Sequence, residues 1–245
     1  MEPDPTDFGG VTALERQQLR VVGDGASTFW HRVRFSLVGR VVRRVGATSL
    51  LDVGAGSGQL GDWSRRHLPG VSYRFRETSA PLAQSLRDRF GAEAEVPADQ
   101  ALADHCLVAM LDVLEHISDD AAALQGLHRQ MPEGSSIVIT VPALPSLFSQ
   151  WDTDLGHHRR YTRSTLRKVV SGAGFEVQSV AYLFPELLPL AVLRRLRRGT
   201  SSGADFPVLP RWVDRTGEVV STGTTALRRL WPAGTSLLCI ARRKA

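Results

Sequence analysis

The sequence predicts an α/β fold: a doubly wound sheet of about seven strands, mostly parallel, with the last strand antiparallel. Three observations carry this expectation. Short apolar or alternating runs recur between helical patterns of ten to fifteen residues, the mark of strand–helix–strand units. A glycine-dense segment directly follows the first of these runs. The final two runs are joined by a long return, Pro185 to Gly234, with no evident crossover helix, so the last strand is expected to enter antiparallel. At 245 residues the chain fits one domain with insertions and needs no disulfide or metal staple.

Residues 1–25 are polar, with early Pro and Gly, and read as a tail or mobile cover. "STFWHRVRFSLVGRVVRRVG" has a helical apolar period through Phe29, Val33, Leu37, Val41 and Val45, stopped by Gly46. "TSLLDV" is a buried strand leading into the glycines, and "QLGDWSRRHLPG" a helix ended by Pro69–Gly70. "SYRFRE" alternates with period two up to Glu77, and "APLAQSLRDRFG" is a helix closed by Gly91. "AEAEVP" reads as a weak, short third strand, and "HCLVAMLDVLEHI" as a strand to about Leu111 followed by a turn. "DDAAALQGLHRQM" is a helix whose first-turn carboxylates suit the positive end of its dipole. "SSIVITVP" is the cleanest strand, ended by Pro142. A helix "STLRKVVSGAGF" and the strands "FEVQSVAYLF" and "TSLLCIARRK" complete the set, with insertions after the fifth and sixth strands.

Composition narrows the function classes. Net charge is +5, but 28 of the 30 basic residues are Arg, spread along the chain rather than gathered in a patch. A nucleic-acid partner is therefore disfavoured. Cys106 and Cys239 each sit in an apolar run and read as buried, reduced thiols, consistent with a cytoplasmic protein. No charged-then-apolar leader and no run of about 18–20 apolar residues occurs, so a soluble protein is expected. His31, His67, His105 and His128 lack metal-ligand spacing and no Cys cluster exists, so no metal residues are assigned. A divalent ion beside an acceptor stays open.

The segment "LLDVGAGSGQLG" contains two patterns. Gly56, Gly58 and Gly61 spell the dinucleotide fingerprint; Asp52, Gly54, Gly56 and Gly58 spell D-x-G-x-G-x-G. Glycines at either spacing allow a tight strand-to-helix turn and a close backbone approach to a ligand. Asp52 discriminates, because a carboxylate repels a pyrophosphate and attracts a ligand carrying an ammonium and a sulfonium. Glu77, at the end of the second strand, would accept ribose hydroxyls in either case. Gly61 is expected to serve helix packing.

With that loop, "DVLEHISDD" after the fourth strand and the terminal strand "SLLCIARRK", the chain resembles the class I S-adenosylmethionine-dependent methyltransferases, a Rossmann-like fold. Trp30 with Arg34, and the segment "VPALPSLFSQWDTDLGHHRRYTRSTLRKVVSGAGF", resemble the bacterial small-molecule branch of that family, a branch associated with secondary metabolism. The resemblance implies one domain over 1–245: tail and cover helix at 1–46, cofactor-binding half at 47–145, acceptor-side half at 146–245. It further implies that Gly54, Ala55, Gly56, Gly58 and Gln59 line the methionine part of S-adenosylmethionine, with Asp52 orienting its ammonium. Glu77 and Thr78 would meet the ribose, and Asp99 the adenine amino group. Leu111, Asp112, Val113 and His116 would form the wall below the sulfonium, Arg34 would pair with the methionine carboxylate, and Trp30 would close over the site. Relatives carry an Asp where this chain has Cys106; the nearest is Asp104.

Candidate catalytic residues lie in "GHHRRY", placed after a strand's carboxyl end. His157 is read as a base or acceptor-orienting group, with Tyr161 beside it; a structural role is the competing reading of both. His116 is the second candidate base, and Glu115 next to it is weighed in the same way. "YLFPELLPLAVLRRLRRG" is apolar and then basic, fitting a packed insertion or lid over an apolar acceptor better than a membrane contact. The expectation is methyl transfer from S-adenosylmethionine to a small, partly hydrophobic molecule, with S-adenosylhomocysteine as product. An NAD(P)-dependent oxidoreductase and a non-catalytic cofactor-binding protein are the alternatives.

Overall fold

The computed structural model describes residue 18 and residues 27–102, 106–196 and 209–244. Most of the expected N-terminal cover, the stretch "RRGTSSGADF", Asp104 and His105 lie outside these residues. Six strands form one sheet: β1 Ser49–Val53, β2 Ser72–Arg76, β3 Cys106–Leu111, β4 Ser136–Pro142, β5 Phe175–Leu183 and β6 Ser236–Arg243. Their order is β2-β1-β3-β4-β6-β5. The first four run parallel, and β6 enters antiparallel between β4 and β5, as expected for the last strand.

Eight helices surround the sheet among the described residues: α1 Phe29–Val45, α2 Gln59–His67, α3 Ala80–Phe90, α4 Asp120–Gln130, α5 Gln150–Asp154, α6 Arg163–Gly172, α7 Leu188–Leu196 and α8 Arg211–Ala226. Period-two strands send alternate side chains to opposite faces. Leu50, Leu107 and Val138 pack under Val38 of α1, Trp63 of α2 and Leu86 of α3. Leu51, Val108 and Ile137 pack under Leu124 of α4 and Leu166 of α6. This two-sided burial is the physical content of double winding.

Two expectations need correction. The expected third strand, "AEAEVP", is a 3-10 turn at Ala92–Ala94 followed by one parallel bridge from Glu95 to Phe75, so the sheet has six strands rather than seven. Pro97 follows at once and has no N–H to extend a ladder, so pairing stops after a single bridge. Val45, placed in the apolar stripe of α1, is 40% exposed, because the helix leaves the sheet in its last turn and ends on left-handed Gly46.

The long return before β6 contains α8, which the hydrophobic pattern hides. Its inward stripe is Gly217, Ser221 and Thr225, spaced by four but neither large nor apolar, whereas Val219 is 73% exposed. Tertiary contacts hold it. Asp214 accepts the Phe29 backbone N–H at 2.8 Å, capping α1, which has no side-chain cap from Thr28. Arg32 bridges Asp214 at 2.6 Å and Glu218 at 2.7 Å.

Three strands end in a non-glycine residue with positive φ: Asp112 (55°) after β3, Leu144 (61°) beyond β4 and Phe184 (55°) after β5. Each turns the chain sharply at the carboxyl edge of the sheet. In α2, a Cβ on Gly61 would lie 2.5 Å from Phe90 Cζ and 2.6 Å from the Tyr73 ring, so this glycine serves helix-to-sheet packing. Gly61→Val is expected to lower unfolding stability by about 1–3 kcal/mol through overpacking, read from the urea midpoint.

Candidate active site

In an open α/β sheet ligands bind beyond the carboxyl ends of the strands, where the strand order reverses. That point lies here between β1 and β3, and a cavity of about 780 Å³ opens there. Because β6 is antiparallel, its first residue, Ser236, reaches the same edge. Helices α1, α7 and α8 form the roof through residues such as Trp30, Leu190 and Trp212.

The glycine loop follows β1. Gly54, Gly56 and Gly58 have φ of 70°, 54° and 73°, a conformation that L side chains adopt at a cost. The Gly54 and Ala55 amides donate to Arg76 O at 2.8 and 3.3 Å, Gly58 donates to Ala55 O at 2.9 Å, and Gly56 donates to Glu77 Oε2 at 2.7 Å. Four amides are thus engaged within the protein, where a pyrophosphate cradle would present them to the ligand. Asp52 is buried under the loop and accepts the Tyr73 hydroxyl at 2.9 Å. Burial pushes its carboxyl up to about 7; the Tyr73 bond opposes this and the Glu77 charge adds to it.

Opposite the loop, Arg34 of α1 is buried, paired with Asp112 at 3.1 Å, and donates to Ser236 Oγ at 2.9 Å. Its Nε is buried without a partner. Asp112 also accepts the Thr140 hydroxyl at 3.1 Å. Burial and the Arg34 charge push His31 down to about 4, so it is a neutral imidazole on the cavity wall.

The far end is built by the insertion after β4, pinned at its base by the Ala143–Tyr161 bridge. Asp152 of α5 is its hub. Fully buried, it accepts the Ser149 amide at 2.9 Å, closes a capping box, and binds His157 Nδ1 at 3.0 Å and Arg160 Nε at 2.7 Å. Burial would raise its pKa, but the bonds from His157 and Arg160 prevail and hold the carboxyl below the usual range. The imidazoles of His157 and His116 meet edge to face, with centroids 4.6 Å apart. Burial and the neighbouring His157 push His116 down to about 4. Glu115 is wholly buried beside them; burial, reinforced by the Asp112 charge, raises its carboxyl well above the ordinary range.

Of the residues singled out from sequence, Trp30, Arg34, Asp52, Gly54, Ala55, Gly56, Gln59, Leu111, Asp112, His116 and His157 line this cavity. Others do not. Tyr161 is buried with its hydroxyl donating to Asp120 at 2.7 Å, which ties the insertion to the start of α4. Val113 packs behind the loop, 2.7 Å from where a Gly54 Cβ would stand. Glu77 sits behind the loop, accepting the Thr78 and Ser79 amides as well as Gly56. Gly58 caps α2, Thr78 is exposed, and Asp99 is exposed in the loop before β3. That strand starts at Cys106, which pairs with Ser49. Sequence reasoning missed Gln18, Phe29, Trp151, Glu186 and the α8 wall, whereas Arg160, the member of "HRR" expected to point inward, does so. The signal for Trp151 was its nearness to "GHHRR"; the α8 wall gave none.

A family model described as a methyltransferase domain matches residues 29–180, more than half of the chain. The chain belongs to the methyltransferase-domain family. This decides between the two readings of the glycine loop, against the nicotinamide one. No curated protein matches the sequence. Among solved structures, the [4+2]-cyclase SpnF is 17% identical with TM-score 0.57, the match covering 95% of this chain and 94% of that one. A putative sarcosine dimethylglycine methyltransferase from Galdieria sulphuraria is 15% identical with TM-score 0.56, covering 86% and 85%. A SAM-dependent methyltransferase from Archaeoglobus fulgidus is 19% identical with TM-score 0.52, covering 85% and 94%. At these identities the likeness is one of fold.

Two predictions follow from the contrasting carboxyls of this methyltransferase-domain protein. Asp52, with its folded pKa raised from 3.8 to about 7, makes the native state lose stability as pH rises from about 4 to 7, by roughly 3–4 kcal/mol. Asp52→Asn should flatten that slope in urea titrations at pH 4.5 and 7.5. Asp152→Ala leaves Arg160 and His157 without their anion and should cost about 3–5 kcal/mol in the same measurement at pH 7.

Proposed function

We propose that the protein transfers a methyl group from S-adenosylmethionine to a small, partly hydrophobic acceptor. The observation that carries this is the buried Asp52 carboxyl beneath a loop whose amides are turned inward, a setting that favours a cation and offers little to a phosphate. The residues present fit the cofactor: Gly54 and Gly56 line the cavity with positive φ, a Cβ at Gly56 would stand 2.9 Å from Gln18 on the cavity side of the loop, and Arg34, also on the cavity wall, has a buried Nε without a partner. Neighbours in the fold described as SAM-dependent support the choice. When bound, the cofactor supplies an already activated methyl group, so the protein's task is positioning and exclusion of water.

In this reading the loop from Gly54 to Gly58 and Gln59 hold the amino-acid end, with Asp52 facing the ammonium and Arg34 the carboxylate. Glu77, which the family resemblance assigns to the ribose, holds the Gly56, Thr78 and Ser79 amides and would have to give up part of that set to accept ribose hydroxyls. Trp30 of α1 and the apolar face of α8, including Val213 and Val220, exclude water and favour a partly apolar acceptor. At the far end Asp152 fixes the His157 ring through Nδ1, which leaves Nε2 to orient the acceptor heteroatom or take its proton. The volume of about 780 Å³ lies in the range of small-molecule pockets and suits a small acceptor rather than a macromolecule. The small-molecule branch resemblance of "GHHRRY" points the same way.

Calorimetric titration with S-adenosylhomocysteine tests the reading. The wild type is expected to bind one equivalent, and Gly56→Arg, whose side chain would enter the cavity on the Gln18 side, to abolish binding while the fold is retained by circular dichroism. NADH binding without S-adenosylhomocysteine binding would overturn it.

A further inference from the structure

The Glu115 carboxylate is an anomaly at the far end of the cavity. It lies on the short turn Leu114–His116 after β3, is 0% exposed, and neither of its oxygens has a hydrogen-bond partner on another described residue. Buried carboxylates without partners are costly, and proteins keep them where a ligand completes the set. The partners within reach are two imidazoles: one ligand atom each from Glu115, His116 and His157 lies within 4.8 Å of the others.

The geometry points to a divalent transition-metal site formed by Glu115, His116 and His157 at the acceptor end of the cavity, with an oxygen of the acceptor as a further ligand. Two imidazoles and one carboxylate suit zinc, manganese, iron or cobalt better than magnesium or calcium. Ligands of a zinc-sized ion in tetrahedral array stand about 3.3 Å apart, so the donors need to draw together by no more than about 1.5 Å.

The surroundings have the second layer that such sites require. Asp152 Oδ1 holds His157 Nδ1 at 3.0 Å, which fixes the ring and turns Nε2 outward, the carboxylate–histidine arrangement found behind metal ligands. The nearby charges also balance. Arg34 and Arg160, whose charges also act on Glu115, are each ion-paired with another carboxylate, Asp112 and Asp152, so Glu115 is without an ion pair of its own among the described residues. His116, Glu115 and His157 also border the same cavity, so the remaining coordination positions open toward the acceptor. The ion would hold and orient an acceptor hydroxyl or carboxylate, and His157 Nε2, then a ligand, would act on the acceptor through the ion rather than take its proton itself. This naming of the acceptor class rests on the methyl-transfer reading; the site itself does not.

The test is a titration of the chelator-treated, untagged full chain with Co²⁺, followed by visible d–d absorption. The wild type should saturate at one equivalent. Glu115→Gln and His157→Asn should each weaken Co²⁺ binding at least tenfold, and Asp152→Asn, acting as a positioning change, by about 10–100-fold. His157→Asn alone decides if the Glu115 variant does not fold. Absence of d–d bands at one equivalent, or bands that persist unchanged in the variants, would overturn the site. S-adenosylhomocysteine calorimetry on the same samples separates the two proposals. Binding of that nucleoside without Co²⁺ binding removes the metal site alone; Co²⁺ binding without it removes the methyl-transfer reading.

Discussion

The ion pair between Arg34 and Asp112 is the interaction on which the site depends. A guanidinium this deeply buried needs an anion, and losing one partner of such a pair costs about 3–5 kcal/mol. The pairing fixes α1 across the carboxyl edge of the sheet, and Ser236 at the start of the antiparallel β6 secures the same guanidinium. With α1 fixed, α8 follows: Asp214 caps it, Arg32 bridges to Asp214 and Glu218, and Gly217 admits the Phe29 ring. The roof of the cavity is therefore attached to its floor through one buried charge.

Within that frame two buried carboxyls of opposite character organise the two ends. Asp52 has one hydroxyl donor and no cation paired with it among the described residues, so burial drives it toward neutrality. Asp152 has a backbone amide, an imidazole and a guanidinium, and these overcome its desolvation to keep it ionised. The first is left close to neutral; the second is a fixed support that orients side chains around it.

Much of this was legible in the sequence because large apolar residues carried the signal. Leu50–Leu51 and Ile137–Val138–Ile139 mark strands buried on both faces, and Gly46 and Gly91 mark helix ends. The glycine loop and Asp52 were readable because backbone conformation and charge sign restrict residue choice. What escaped was written in small or polar residues. The buried stripe of α8 is glycine, serine and threonine, and the turn "AEAEVP" has strand-like alternation that Pro97 cuts short. The grouping of Glu115 and His116 with His157 was also beyond local spacing, because β3 and the insertion after β4 bring them together across about forty residues.

Asp112, Leu144 and Phe184 each hold a left-handed backbone at the end of a strand, and each such residue stores about 1–3 kcal/mol of strain. All three stand on one rim of the sheet, so the strain is concentrated where the cavity is shaped and the body of the sheet is free of it. The rim is consequently the place where this fold has stability in reserve. Glycine or asparagine at Leu144 or Phe184 would relax the backbone, and the walls they position would lose definition in proportion. A lineage drifting toward a more durable protein would soften its own pocket first.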